Sequence, residues 1–182
     1  MSAFGRLGAA TISADQVVHD LLDAEPLLSR LKERWGEEVA PGGQVDRAIV
    51  GSKVFNDPAE LAWLEAQIHP LVGGELLDWL AGLDPATRFA VAEIPLLFEG
   101  EMHRQFDHTV AIVAHEQTRQ ERARSRGHEG VEGREARQLS QAEKAGLADT
   151  VIENDGSPEE LEEKLRLLLA RLESELATGG QG

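Results

Sequence analysis

Arg88-Phe-Ala-Val-Ala-Glu-Ile-Pro-Leu-Leu-Phe-Glu99 is the stretch whose reading decides the fold. It opens as an apolar run with one polar interruption, Glu93. It then meets Pro95 and ends on the carboxylate of Glu99. A short, almost continuous apolar run between turn signals predicts a strand buried on both faces, as in a parallel α/β sheet. Ligands in such sheets collect at the carboxyl ends of the strands, here the end bearing Glu93, Pro95 and Glu99.

Working outward, Ala9-Ala-Thr-Ile-Ser13 is a second strand candidate. Ser13 or Asp15 stands where a cap of the following helix belongs, and Val17, Val18, Leu21 and Leu22 form that helix's apolar stripe. Pro26 suits the first turn of another helix, with Leu27, Leu28, Leu31 and Trp35 on one face and Gly36 at its end. Pro41-Gly-Gly43 reads as a turn and Asp46–Phe55 as a short helix. Asn56-Asp-Pro-Ala-Glu60 is a strong helix start. Pro70 is expected to kink or restart that helix. Downstream, Asp107–Val113 is a buried-strand candidate, Gln138–Leu147 a helix and Thr150–Ile152 a short strand. Ser157-Pro-Glu-Glu160 opens a final amphipathic helix whose tail, Thr178–Gly182, should fray. Strands alternating with helices predict an α/β fold with a mainly parallel sheet, and the residues between 16 and 82 form a helical block inserted between two strands.

The bulk numbers narrow the function classes. A chain of 182 residues with 41% hydrophobic residues can bury one substantial core. It has no apolar run of about 18 residues and no signal-peptide pattern at its start, so no membrane partner is expected. The absence of cysteine excludes disulfides and thiolate metal sites and fits a cytoplasmic protein. A formal net charge of −15 argues against nucleic-acid binding. Yet six of the eighteen basic residues lie between Arg119 and Arg137, all arginine. Such a cluster is either an anion site or a solvated helix face with Glu121, Glu129, Glu132 and Glu135 interleaved.

Three places can carry chemistry. Asp15, between strand and helix, can reach a metal or a hydroxyl, or simply cap the helix. The arginines offer planar donor forks that suit phosphate. Asn154-Asp-Gly156 can present backbone groups to a ligand or serve only as a connecting turn.

Taken in order, Ile12-Ser-Ala-Asp15, Asp46-Arg47, Phe55, Leu64-Glu-Ala-Gln-Ile-His-Pro70, Ile94-Pro-Leu-Leu-Phe-Glu99, Arg122, Arg126, Arg134, Gln138, Lys144, Ala148-Asp149 and Val151-Ile-Glu-Asn-Asp-Gly156 resemble the dephospho-CoA kinases over nearly the whole chain. The resemblance implies a single domain over 1–182: a parallel-sheet P-loop nucleoside-kinase-like core, a helical substrate-binding insertion at about 16–82 and a lid at about 119–140. It implies transfer of the ATP γ-phosphoryl group to the ribose 3′-hydroxyl of dephospho-CoA, with ATP as co-substrate and Mg²⁺ present. By similarity, Asp15 would orient or deprotonate the acceptor hydroxyl and lie near the metal. Arg122, Arg126 and Arg134 would close on the phosphates, with Gly127, Gly130 and Gly133 as hinges. Asn154, Asp155 and Gly156 would border adenine. Arg47, His69, Pro70, Leu96, Leu97 and Glu99 would line the acceptor side. His69 could equally end a helix, and Glu99 could merely cap one.

The sequence departs from the family at defined points. Serine stands at position 13, where the family often has aspartate, leaving Asp15 as the expected sole carboxylate there. Arg119 and Arg124 fall outside the pattern and read as surface charges. No G-x-x-x-x-G-K-[ST] string occurs, so no loop is present to cradle phosphate. The resemblance places the first strand and P-loop ahead of Phe4-Gly-Arg-Leu-Gly8, which reads as the end of the first helix. The strand bearing Pro-Leu-Leu-Phe-Glu should then have one ladder edge unpaired. A truncated active kinase is favoured over a non-catalytic remnant that binds a CoA-like ligand. A kinase of another nucleotide acceptor is the third reading, and Leu-Glu-x-x-x-His-Pro in the inserted block argues against it. In-frame coding sequence upstream separates fragment from remnant. An ATP and dephospho-CoA turnover assay on these 182 residues alone is expected to give no coenzyme A; robust product formation contradicts that expectation.

Overall fold

Parallel strands need crossover connections, and the chain supplies them as helices. The computed structural model describes residues 1–55, 57–125 and 138–179. These comprise α1 (Ser2–Arg6), β1 (Ala10–Ser13), α2 (Ala14–Leu22), α3 (Leu27–Trp35), α4 (Arg47–Phe55), α5 (Pro58–Ala81) and β2 (Ala90–Glu93). Then follow β3 (Val110–Val113), α6 (Glu116–Ser125), α7 (Gln141–Leu147), β4 (Thr150–Glu153) and α8 (Pro158–Gly179). Two compact units emerge. One is Met1 with Ala9–Pro95, the other Ser2–Gly8 with Leu96–Gly182.

In the first unit, β1 and β2 pair in parallel with Ala10 opposite Ala90 and Ser13 opposite Glu93. The expectation that β2 is buried on both faces is corrected: Ala90 and Glu93 are exposed, and Val91 and Ala92 only half-buried. The physical reason is the sheet's size. Among the described residues β2 has β1 as its only neighbour, so its second edge meets no strand. The core lies instead among the helices that connect these strands. Leu22, Leu27, Leu31, Val39, Ala40, Val45, Val50 and Leu64 form one buried cluster, with Leu27, Leu31 and Val39 fully enclosed. The periodic leucines of α3 thus point inward as their spacing predicts.

Polar ties fix this block. Asp23 accepts the Val45 amide at 2.7 Å, anchoring the short 3₁₀ turns between α3 and α4. Asp46 caps α4 by accepting from the Ala48 and Ile49 amides, and Asp57 caps α5 from Ala59 and Glu60. Arg34 forks onto Glu60, which also accepts from Trp35 Nε1 at 2.8 Å. Trp35 meets Trp63 edge-on at 5.2 Å, and Arg34 sits over the Trp63 ring. Helix α5 does not restart at Pro70. It runs as one element of 24 residues with Pro70 inside it, packed on α2 and α4, and proline removes a single amide donor.

In the second unit, β3 and β4 pair in parallel with Val110 opposite Thr150 and Val113 opposite Glu153. The strand predicted from Asp107 begins only at Val110. Thr109, immediately before it, is buried against the Asp149 carboxylate, which accepts its amide at 2.8 Å and its hydroxyl at 2.6 Å. The predicted helix from Gln138 likewise starts late, at Gln141, where Ser140 and Glu143 form a reciprocal capping box. Helix α8 buries Leu165, Leu168 and Leu169, and α1 packs on it through buried Phe4 and an Arg6–Glu162 ion pair of 2.6 Å. The helix reaches Gly179, and residues 180–182 of the tail expected to fray lie outside the described residues. No helix among the described residues is long and apolar enough to cross a membrane.

Leu31→Ala empties a fully enclosed position of the helical core. It is expected to lower unfolding stability by about 2–5 kcal/mol, read from urea unfolding followed by the fluorescence of Trp35 and Trp63.

Candidate functional site

The site residues divide between the two units. In the first, Asp15 lies exposed in the first turn of α2, just past the carboxyl end of β1. It does not cap the helix. Ser13 holds the cap position with an extended backbone (φ −112°, ψ 122°), but its side chain makes no capping bond. Asp15 has no hydrogen bond or ion pair among the described residues, so its carboxylate is open to solvent. The register brings a second carboxylate to the same sheet end: Glu93 is the cross-strand partner of Ser13. No contact joins the Glu93 carboxylate to Asp15 among the described residues. Sequence spacing could not pair residues 80 positions apart, although Glu93 was visible as the polar break in the apolar run.

Arg47, at the start of α4, points back to α2. It donates to the His19 carbonyl at 3.3 Å and lies 3.6 Å from Asp23. His69 and Pro70 are exposed in the middle of α5, so His69 does not end a helix.

In the second unit, Leu96 is exposed and Leu97 half-buried ahead of Glu99. Glu99 as a residue stands exposed, yet its side chain keeps only 17% of its accessible surface. Its carboxylate accepts the Leu139 amide at 2.9 Å and pairs with Lys144 at 3.0 Å. It thus ties the Pro-Leu-Leu-Phe-Glu segment to the start of α7, without occupying that helix's cap, which Ser140 holds.

A concavity of about 460 Å³ opens at the carboxyl end of β3. Ile112, Val113 and Ala114 form its floor, α6 one wall, and Gln141 and Asn154 the remainder. Gln141 fixes the strand end by accepting the Ala114 amide and donating to the Ala114 carbonyl. Arg119, read from sequence as a surface charge, is exposed on α6, donates to Glu116 at 2.8 Å and borders this concavity.

The Asn154-Asp-Gly156 turn borders the same concavity and is held on several sides. Asn154 donates its amide to the Val113 carbonyl at 2.7 Å. Asp155 accepts the His115 amide at 2.7 Å, with His115 Nδ1 2.5 Å from its other oxygen. The His115 amide foremost, with the His115 ring and the Thr118 hydroxyl, holds the Asp155 carboxyl below the usual aspartate range despite some desolvation. Arg122 donates to the Asn154 carbonyl at 2.6 Å and the Gly156 carbonyl at 2.9 Å. A methyl group at Gly156 would collide with the carboxylate of Glu160. The structure therefore joins Arg122 to Asn154 and Gly156 through their carbonyls. Arg126, Arg134, Gly127, Gly130 and Gly133 lie outside the described residues.

Partial burial alone would raise the Glu99 carboxyl, but the Leu139 amide and Lys144 outweigh it and hold it below its ordinary value of 4.5. Ionised Glu99 then stabilises the fold above that pH. This contribution is lost as pH falls through the lowered folded value. Glu99→Gln is expected to reduce the melting temperature at pH 7, with the gap to the unaltered chain closing as pH drops below about 4. Melting curves across that range check it.

With this geometry in hand, comparison with known proteins is decisive. The dephospho-CoA kinase family model matches residues 1–160. A dephospho-CoA kinase from Protochlamydia amoebophila is 33% identical over 173 residues, 91% of this chain and 85% of that protein. One from Deinococcus radiodurans is 37% identical over 171 residues, covering 91% and 82%. A crystal structure from Thermus thermophilus superposes with a TM-score of 0.80 at 32% identity, covering 94% of this chain and 88% of that one. The dephospho-CoA kinase from Campylobacter jejuni gives 0.64 at 27%, covering 99% and 92%. The chain belongs to the dephospho-CoA kinase family.

Proposed function

We propose that the protein serves the transfer of the ATP γ-phosphoryl group to the ribose 3′-hydroxyl of dephospho-CoA, yielding coenzyme A and ADP in the cytoplasm, a turnover not expected of the 182 residues alone because they hold no G-x-x-x-x-G-K-[ST] string. The observation that carries this reading is the family match across residues 1–160. In the reaction the acceptor oxygen bonds to the γ-phosphorus as the bond to the β–γ bridging oxygen breaks. The hydroxyl proton leaves with a base. Asp15 suits that base: it is exposed, unpaired among the described residues, and sited at the carboxyl end of a parallel strand, where ligands of α/β sheets gather.

The same sheet end suits a magnesium ion. Mg²⁺ is commonly held by one or two carboxylates together with substrate phosphates and water. Asp15 suits that description, with Glu93 opposite Ser13 at the same sheet end. Bound there, the ion would neutralise charge on the phosphates.

The donor's adenine would lie in the concavity at the end of β3, bordered by Asn154, Asp155 and Gly156. Arg126 and Arg134 would close on the phosphates as lid residues. On the acceptor side, Arg47, His69, Pro70, Leu96, Leu97 and Glu99 would contact dephospho-CoA. The exposure of Arg47 supports a contact with an acidic ligand. The held carboxylate of Glu99 supports a role in shaping the segment that carries Leu96 and Leu97.

Calorimetric titration with dephospho-CoA is expected to show saturable binding that AMP and CMP displace poorly. Equal displacement by these monophosphates overturns the acceptor assignment. Arg47→Ala is expected to weaken dephospho-CoA binding about tenfold, the order of one charge-assisted hydrogen bond.

A further inference from the structure

The two guanidinium nitrogens of Arg122 that would grip a phosphate end-on are already committed, at 2.6 and 2.9 Å, to the carbonyls of Asn154 and Gly156. We infer that Arg122 is a positioning residue. It shapes the turn at residues 154–156 to receive the nucleoside of the donor and acts on base and ribose affinity through that turn, rather than on the phosphates directly. The inference rests on the donor-site reading above.

Several observations converge on it. The turn has little freedom of its own. Its first amide is spent on Val113, its middle carboxylate on His115 at the head of α6, and the Glu160 side chain lies against its last residue. Carbonyls are the groups left over, and carbonyls leaving a strand end must find donors. Arg122, two turns along α6 from His115, supplies both from one rigid fork. Lysine could not do this, because an ammonium lacks the planar paired donors. Arg122 also lines the concavity together with Asn154, so the clamp forms part of its wall. A nucleoside seated there would meet a wall whose shape Arg122 sets.

Adenosine and ATP separate the alternatives, because adenosine carries no phosphate. Their binding is measured by titration NMR on the full chain and on Arg122→Gln and Arg122→Lys, with circular dichroism as the fold control. Both variants are expected to weaken adenosine and ATP by the same factor, about five- to tenfold for the loss of charge-assisted bonds to the turn. In the unaltered chain, the Arg122 side-chain nitrogen resonances are expected to shift equally with adenosine and ATP. That second measurement decides the matter if a variant does not fold. Unchanged adenosine binding with weakened ATP binding, or a shift of Arg122 with ATP alone, overturns the inference and leaves the donor site standing. Absence of binding of either ligand to the unaltered chain overturns the donor-site reading and the inference with it.

Discussion

A parallel pair of four-residue strands has few ladder bonds, so its ends must be fixed from outside. The β3–β4 pair depends on that. At the leading end, the Asp149 carboxylate takes both the amide and the hydroxyl of Thr109, and the Thr109 hydroxyl in turn accepts the Asp149 amide. At the trailing end, Gln141 brackets Ala114 and Asn154 closes onto Val113. Register, the level of the strand ends and the floor of the concavity all follow from these few polar contacts. The apolar contribution of Ala111, Ile152 and the α8 leucines supplies cohesion but no register.

The first unit solves a different problem. Its sheet is narrow and half-exposed, so cohesion comes from helices closing around Leu27, Leu31 and Val39. Polar ties then set the geometry. Asp23 holds the connecting loop by its amide and also lies by Arg47. A core residue's neighbour thereby orients a side chain assigned to the acceptor. Glu60 joins α3 to α5 through Arg34 and Trp35 in the same way.

Much of this was legible in the sequence. The four strands, the parallel pairing and the helical block follow from apolar runs and periodicity, which report local structure directly. Helix starts at Asp57 and Ser157 were readable from their capping chemistry. The misreadings share a cause: each depended on a partner distant in sequence. β2 looked doubly buried because its composition is that of a central strand, yet burial is decided by its neighbours. Pro70 was read by a local rule as a kink or a restart, and a restart does not occur in a helix packed on two others. Glu93 beside Ser13 and Arg122 on the turn are likewise products of tertiary placement. Asp15, Asn154, Asp155 and Gly156 were singled out because they fall in motif strings, and motif strings carry no information on what holds them.

The crowding of Gly156 by Glu160 links two positions that belong to different concerns. One belongs to the turn after β4; the other sits in the first turn of α8. What lies against Gly156 is the far end of a flexible side chain and not backbone, so a substituent there meets something that can move. A side chain acquired at 156 would swing the Glu160 carboxylate outward, and the start of α8 would absorb the change while the backbone of the turn keeps its place.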